Sequence, residues 1–142
     1  MVMVQETDTS KHPDSVKRIT SSKLAMPVIT IKGGPSKIPN NKLVLIREDL
    51  AHVVTSFRRL NLKRKDISFF FPLDRQIDLD NELIIEVSGL FTKPERTQEV
   101  KDGLAKNLAL CLKGFFPKAK VECFVRSFDP QEEGFCVLEA SE

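Results

Sequence analysis

Two histidines and three cysteines are all that the 142-residue chain offers toward metal or thiol chemistry. His12 lies near the start and His52 among regularly spaced apolar residues, so neither a paired-histidine metal site nor a histidine-based triad is expected. Cys111, Cys123 and Cys136 are odd in number and lack metal-like spacing, which reads as reduced thiols packed as small apolar groups. No apolar run approaches the roughly 18 residues that would span a bilayer. Residues 1–25 contain no continuous apolar stretch of signal-peptide length, so no cleaved leader is expected and the protein is read as cytoplasmic, without a membrane partner. A charge excess is missing too, with 22 basic against 20 acidic residues, which argues against a general nucleic-acid binder. The cluster Arg58, Arg59, Lys63, Arg64 and Lys65 has no interleaved aromatics and reads as solvated cations at a helix C-terminus. Asp74, Asp78, Asp80 and Glu82 lack the glycine of a calcium loop and read as a solvated connection.

What is present has the balance of a globular domain, 41% apolar and 30% charged, at a length suited to one core. Residues 1–25 form a polar tail, rich in Ser, Thr and charge and without a sustained period; the domain is assigned to residues 26–142. From Pro27 the character changes. Val28, Ile29 and Ile31 are β-branched and run into Gly33-Gly34-Pro35, a short strand closed by a loop. Ser36 or Asn40 can cap the helix that follows, whose apolar stripe is Leu43, Ile46, Leu50, Val53, Val54, Phe57 and Leu60. Ile67 to Phe71 reads as a second strand and Leu83 to Val87 as a third, ending at Gly89. Thr92-Lys93-Pro94-Glu95 has the form of a capping box and predicts the start of a second helix. Its stripe is Leu104, Leu108, Cys111, Leu112 and Phe115, with Gly114 placed for a positive φ at its end. Val121 to Arg126 predicts a fourth strand, and Phe135 to Leu138 a short last one.

The two halves repeat. At an offset of 56, Val28-Ile29-Thr30-Ile31 meets Ile84-Ile85-Glu86-Val87 and Gly33 meets Gly89; at 58, Ile46, Leu50 and Val54 meet Leu104, Leu108 and Leu112. Each unit is strand, crossover helix, parallel strand. Right-handed crossovers then put both helices on one face of a four-stranded sheet, an α+β fold made of two β-α-β repeats. Phe69, Phe71 and Ile84 suggest more apolar residues than one helical layer covers, and other subunits are the expected cover of the second face.

With that repeat, the start Met26-Pro27-Val28-Ile29-Thr30-Ile31 resembles the tautomerase superfamily, the group of 4-oxalocrotonate tautomerase and macrophage migration inhibitory factor. Their chains begin with a proline that opens the first strand. The resemblance implies a tautomerase-like mixed sheet, a homotrimer, no cofactor, and a keto–enol tautomerase acting on a small-molecule substrate with the proline nitrogen as base. A free α-amino group titrates near 8, and burial among apolar groups lowers it toward neutrality, where a secondary amine shuttles protons well. Pro27 is the catalytic candidate, provided the functional chain starts at, or is processed to, that residue; acylated by Met26, its nitrogen has no proton to exchange. Without that role, Pro27 reads as a rigid opening of a strand. Lys37 stands at the spacing from Pro27 at which oxalocrotonate tautomerases carry a carboxylate-binding arginine; it otherwise reads as a solvated lysine in a helix's first turn. The family's second arginine aligns with Ser68. Arg126 on the fourth strand is the candidate to replace it, or else a strand-end surface charge. The competing reading is a non-catalytic oligomer of the same fold that binds a small ligand or a protein partner.

Overall fold

A computed structural model describes residues 26–35, 38–72 and 81–140. The tail, Ser36, Lys37 and most of the acidic connection lie outside the described residues. The chain runs β1 (Val28–Gly33), α1 (Asn40–Ser56), two short 3-10 turns, β2 (Ser68–Phe70), β3 (Glu82–Phe91), α2 (Gln98–Phe115) and β4 (Lys120–Phe128). The sheet order is β2-β1-β3-β4. β1 is parallel to β2 and β3 to β4, while β1 and β3 meet antiparallel at the centre. The two β-α-β units anticipated from the repeat are therefore joined through their first strands. Gly33 and Gly89, equivalent at the offset of 56, both adopt positive φ, at 88° and 76°.

Side-chain alternation explains the layering. Ile29 pairs with Val87 and Phe69, and Ile31 with Ile85; the four aliphatic residues are buried, and Phe69 packs partly buried against the same core. Onto this row α1 lays Ile46, Leu50, Ala51 and Val54, and α2 lays Val100, Leu104, Leu108 and Leu112. The helices meet at Gly103, where a Cβ would lie 3.3 Å from the Phe57 ring. At the other end Lys42 Nζ sits 4.5 Å from the Phe116 ring centroid.

Four local expectations give way to tertiary contacts. Thr97, rather than Thr92, caps α2 by accepting from Val100 N–H at 3.3 Å; Thr92 stays with the sheet, donating its N–H to the Phe128 carbonyl at 2.9 Å. Pro39 occupies the N-cap position of α1 with no side-chain cap, and its carbonyl accepts from Lys42 and Leu43 N–H, so Asn40 is already helical. Gly114 remains inside α2, whose end at Phe116 has a negative φ of −134° and is closed by a bond from Phe116 N–H to the Leu112 carbonyl. Phe135 to Leu138 forms no strand; Phe135 instead packs against Phe91 and Phe128, at ring distances of 5.4 and 5.7 Å.

Candidate functional site

Pro27 is buried at the entrance to β1, and its carbonyl accepts from Ser68 N–H at 3.1 Å. That bond ties the first residues of two parallel strands together. Ser68 is half-buried where the resembled family carries an arginine, and its short hydroxyl cannot supply the charge.

On the other side of β1, β3 carries a bulge. Val87 pairs with Val125 and Leu90 with Ser127, so Ser88 and Gly89 together stand opposite the single residue Arg126. A positive φ of 76° suits Gly89 to this kink, and the space a Cβ would fill there is taken by the Met26 side chain. Across this end of the sheet the order is Pro27, then Gly89 with Met26 against it, then Arg126. Neighbouring strands lie about 4.8 Å apart, so the proline and the arginine backbones are separated by roughly 10 Å. Arg126 is exposed and, among the described residues, joins no salt bridge. Two rungs further along, Phe91 pairs with Phe128, and with Phe135 they make a cluster of three half-buried rings.

The structure thus places two of the three candidates, Pro27 and Arg126, at one end of the sheet, while Lys37 lies outside the described residues. Cys111 and Cys123 are poor nucleophiles: burial pushes Cys123 up to about 12 and, with Asp49 nearby, raises Cys111. Cys136 is exposed, unlike the packed thiols expected. Among the described residues no cluster of three metal-binding side chains forms, and no helix is long and apolar enough to cross a membrane.

Arg96 is the residue that sequence reasoning missed. It is 8% exposed, and donates from one terminal nitrogen to the Phe91 carbonyl at 2.7 Å and from the other to the Leu60 carbonyl at 2.6 Å; Nε is buried without a partner. Burial lowers its affinity for a proton. Its hydrogen bonds bridge the end of β3 to the turn after α1, joining the two units. No periodicity marks it, because an arginine between Glu95 and Thr97 looks like surface. In the basic turn, Arg64 is held by Glu48 at 3.0 Å and stacks 5.4 Å from the Phe69 ring centroid.

No protein-family model matches the chain, and a comparison with curated proteins finds no match. Solved structures do match. Pt0534 inactivated by 2-oxo-3-pentynoate superposes with a TM-score of 0.56 at 14% identity, covering 76% of this chain and 90% of that one. A fused 4-OT asymmetric trimer gives 0.57 at 10% identity, with 77% and 92% covered. The fold is tautomerase-like. A member of the cis-3-chloroacrylic acid dehalogenase family agrees, with a TM-score of 0.52 at 12% identity over 79% of this chain and 82% of that one. At the Pro27 end of the sheet, Arg126 lies two strands away from the proline and the Phe91, Phe128 and Phe135 rings lie beyond it.

Proposed function

We propose that the protein is a cofactor-independent keto–enol tautomerase or isomerase of a small carboxylated substrate, active when Pro27 carries a free nitrogen. The observation that supports this best is the burial of Pro27 at the mouth of a central strand, with Arg126 beyond the Gly89 bulge. Burial favours the neutral amine, the form able to accept a proton. In the reaction the amine takes the enol O–H proton and becomes a secondary ammonium. The oxygen electron pair forms the ketone as the C=C bond shifts its electrons to carbon, and the ammonium returns one proton to that carbon. Arg126 and Lys37 hold the carboxylate, Lys37 as a point charge rather than a fork. The similarity to structures described as an asymmetric trimer supports a homotrimer, and one similar protein was inactivated by a 2-oxo acid derivative.

The second reading, a non-catalytic oligomer binding a ligand or protein partner, is favoured by one observation: in the chain as it stands Met26 acylates the Pro27 nitrogen. The two readings separate on a simple comparison. A chain beginning at Pro27 is expected to tautomerise phenylenolpyruvate about 10²–10⁴-fold faster than the 142-residue chain. Pro27→Ala in the short form lowers the rate without abolishing it, because a primary amine remains. Equal rates in long and short chains, both above background, exclude Pro27 as the base; no activity in either favours the binding protein.

A further inference from the structure

The near balance of charge in the whole chain conceals two unequal units. Residues 26–72, the first β-α-β unit, hold 9 basic against 3 acidic residues, whereas residues 73–142 hold 9 against 14. Five of the first unit's cations, Arg58, Arg59, Lys63, Arg64 and Lys65, are exposed along the two 3-10 turns between α1 and β2. The acids of that unit are engaged: Glu48 accepts from Arg47 and Arg64, Asp66 accepts from Lys63 N–H at 2.8 Å, and Asp49 stands by Cys111 at the seam with α2. Among the described residues Arg58, Arg59, Lys63 and Lys65 join no salt bridge. Arg64 is built differently from its neighbours. Its guanidinium donates to both Glu48 oxygens, at 3.2 and 3.0 Å, and to the Ile67 carbonyl at 3.3 Å, and it lies over the Phe69 ring at 5.4 Å. The side chain is still 43% exposed, so a cationic plane is held rigid while it reaches solvent. β2 thus brings the basic cluster the aromatic partner that its neighbours in sequence lack.

We propose that the basic turns bind the phosphodiester backbone of single-stranded nucleic acid, with a base stacked on the Arg64 plane. Arg58, Arg59, Lys63 and Lys65 neutralise phosphates, a contact indifferent to base sequence. The fixed guanidinium separates this partner from other polyanions. Bases stack on guanidinium planes as they do on aromatic rings, whereas an acidic peptide or an anionic lipid surface brings charge without such a flat group. A flexible strand also follows the curvature of two consecutive tight turns, which a duplex meets at few points. The surface uses none of Pro27, Lys37 and Arg126, so it stands whether or not the chain is a tautomerase.

The full chain is titrated into a single-stranded oligothymidylate of about 12 nucleotides, carrying fluorescein or an internal 2-aminopurine, at salt from about 50 to 200 mM. Anisotropy is expected to give a Kd of about 10⁻⁶–10⁻⁴ M at the lower salt, with log K falling against log salt at a slope of roughly −3, about 0.7 for each of the four cations. Arg58→Glu combined with Arg59→Glu is expected to weaken binding about tenfold or more. Lys106→Glu combined with Lys118→Glu makes the same change in net charge at exposed positions of the second unit, and leaves binding within about twofold of wild type. Arg64→Lys keeps the charge and removes the plane, so quenching of the 2-aminopurine is lost while the salt slope persists. Circular dichroism verifies each fold, and the Arg58 and Arg59 pair carries the test if Arg64→Lys unsettles the turn. Three results each overturn the proposal: no binding by wild type at the lower salt, equal weakening by the two double variants, or binding of polyglutamate or of phosphatidylserine vesicles as tight as that of the oligonucleotide. Quenching that survives in a folded Arg64→Lys chain overturns the stacking on that plane.

Discussion

Glu48 shows how much a few exposed charges can do at a turn. Its carboxylate accepts from Arg64 Nε and a terminal nitrogen at 3.2 and 3.0 Å, and from Arg47 Nε at 2.9 Å. The bonds from Arg64, then those from Arg47, lower its pKa from 4.5 to about 2. A depressed carboxylate stabilises the fold above its unfolded pKa, and the contribution disappears as pH falls through the folded value. Between pH 4.5 and about 2, wild type is therefore expected to lose stability more steeply than Glu48→Gln, as read from urea midpoints at successive pH values. The pair is open to solvent, so the difference should shrink in high salt. Parallel pH profiles for the two proteins at low salt would show that the arginines are not held in solution.

At the level of elements, the equivalence of α1 and α2 has energetic content. Leu50 and Leu108 are matched by the repeat, and each is 0% exposed beneath its helix. Leu50→Ala and Leu108→Ala are each expected to cost about 2–5 kcal/mol in chemical denaturation, combining lost transfer energy with the cavity left behind. Unchanged midpoints in both would mean that the helices do not bury these faces. Arg96 does different work, bonding the carbonyls of Phe91 and Leu60 and so linking one unit's strand to the other unit's turn. Its position also accounts for the late start of α2. Arg96 N–H bonds to the Lys93 carbonyl in a tight turn, the side chain is anchored inward, and the helix begins only after it, at Gln98 behind the Thr97 cap.

For the whole molecule the deciding surface is the sheet face away from the helices. Phe69 belongs to the helix-side core, and Phe71 also packs against that core, so the apolar surplus rests elsewhere. One rung crosses all four strands as Phe70, Thr30, Glu86 and Phe124, with 58% and 45% exposure of the two phenylalanines on the edge strands. Ile84 and Val28 are half-buried on the same face, beside the Lys32–Glu86 ion pair at 3.1 Å. Exposed edge phenylalanines flanking a mixed centre suit assembly with other copies. Sedimentation at micromolar concentration is expected to give a trimer, and Phe124→Lys to shift it toward the monomer while circular dichroism is unchanged. A wild-type monomer would leave this face without its proposed cover.

The sequence by itself determined the α+β class, the duplicated β-α-β unit and the apolar stripes of the two helices. Those follow from periodicity and from β-branched residues repeated at fixed offsets, which are local signals. It also marked Pro27, through the abrupt change from a polar tail to an apolar strand. Only the tertiary structure decided that Phe69 turns inward, that Arg96 is buried and that Phe135 joins an aromatic cluster rather than a strand. Each depends on what a residue meets across the chain, and a composition of neighbours in sequence does not carry that information. The same holds for Met26, Gly89 and Arg126. Only the bulge register between β3 and β4 sets Gly89 against Arg126, and only the approach of the chain to β1 lays Met26 on that glycine.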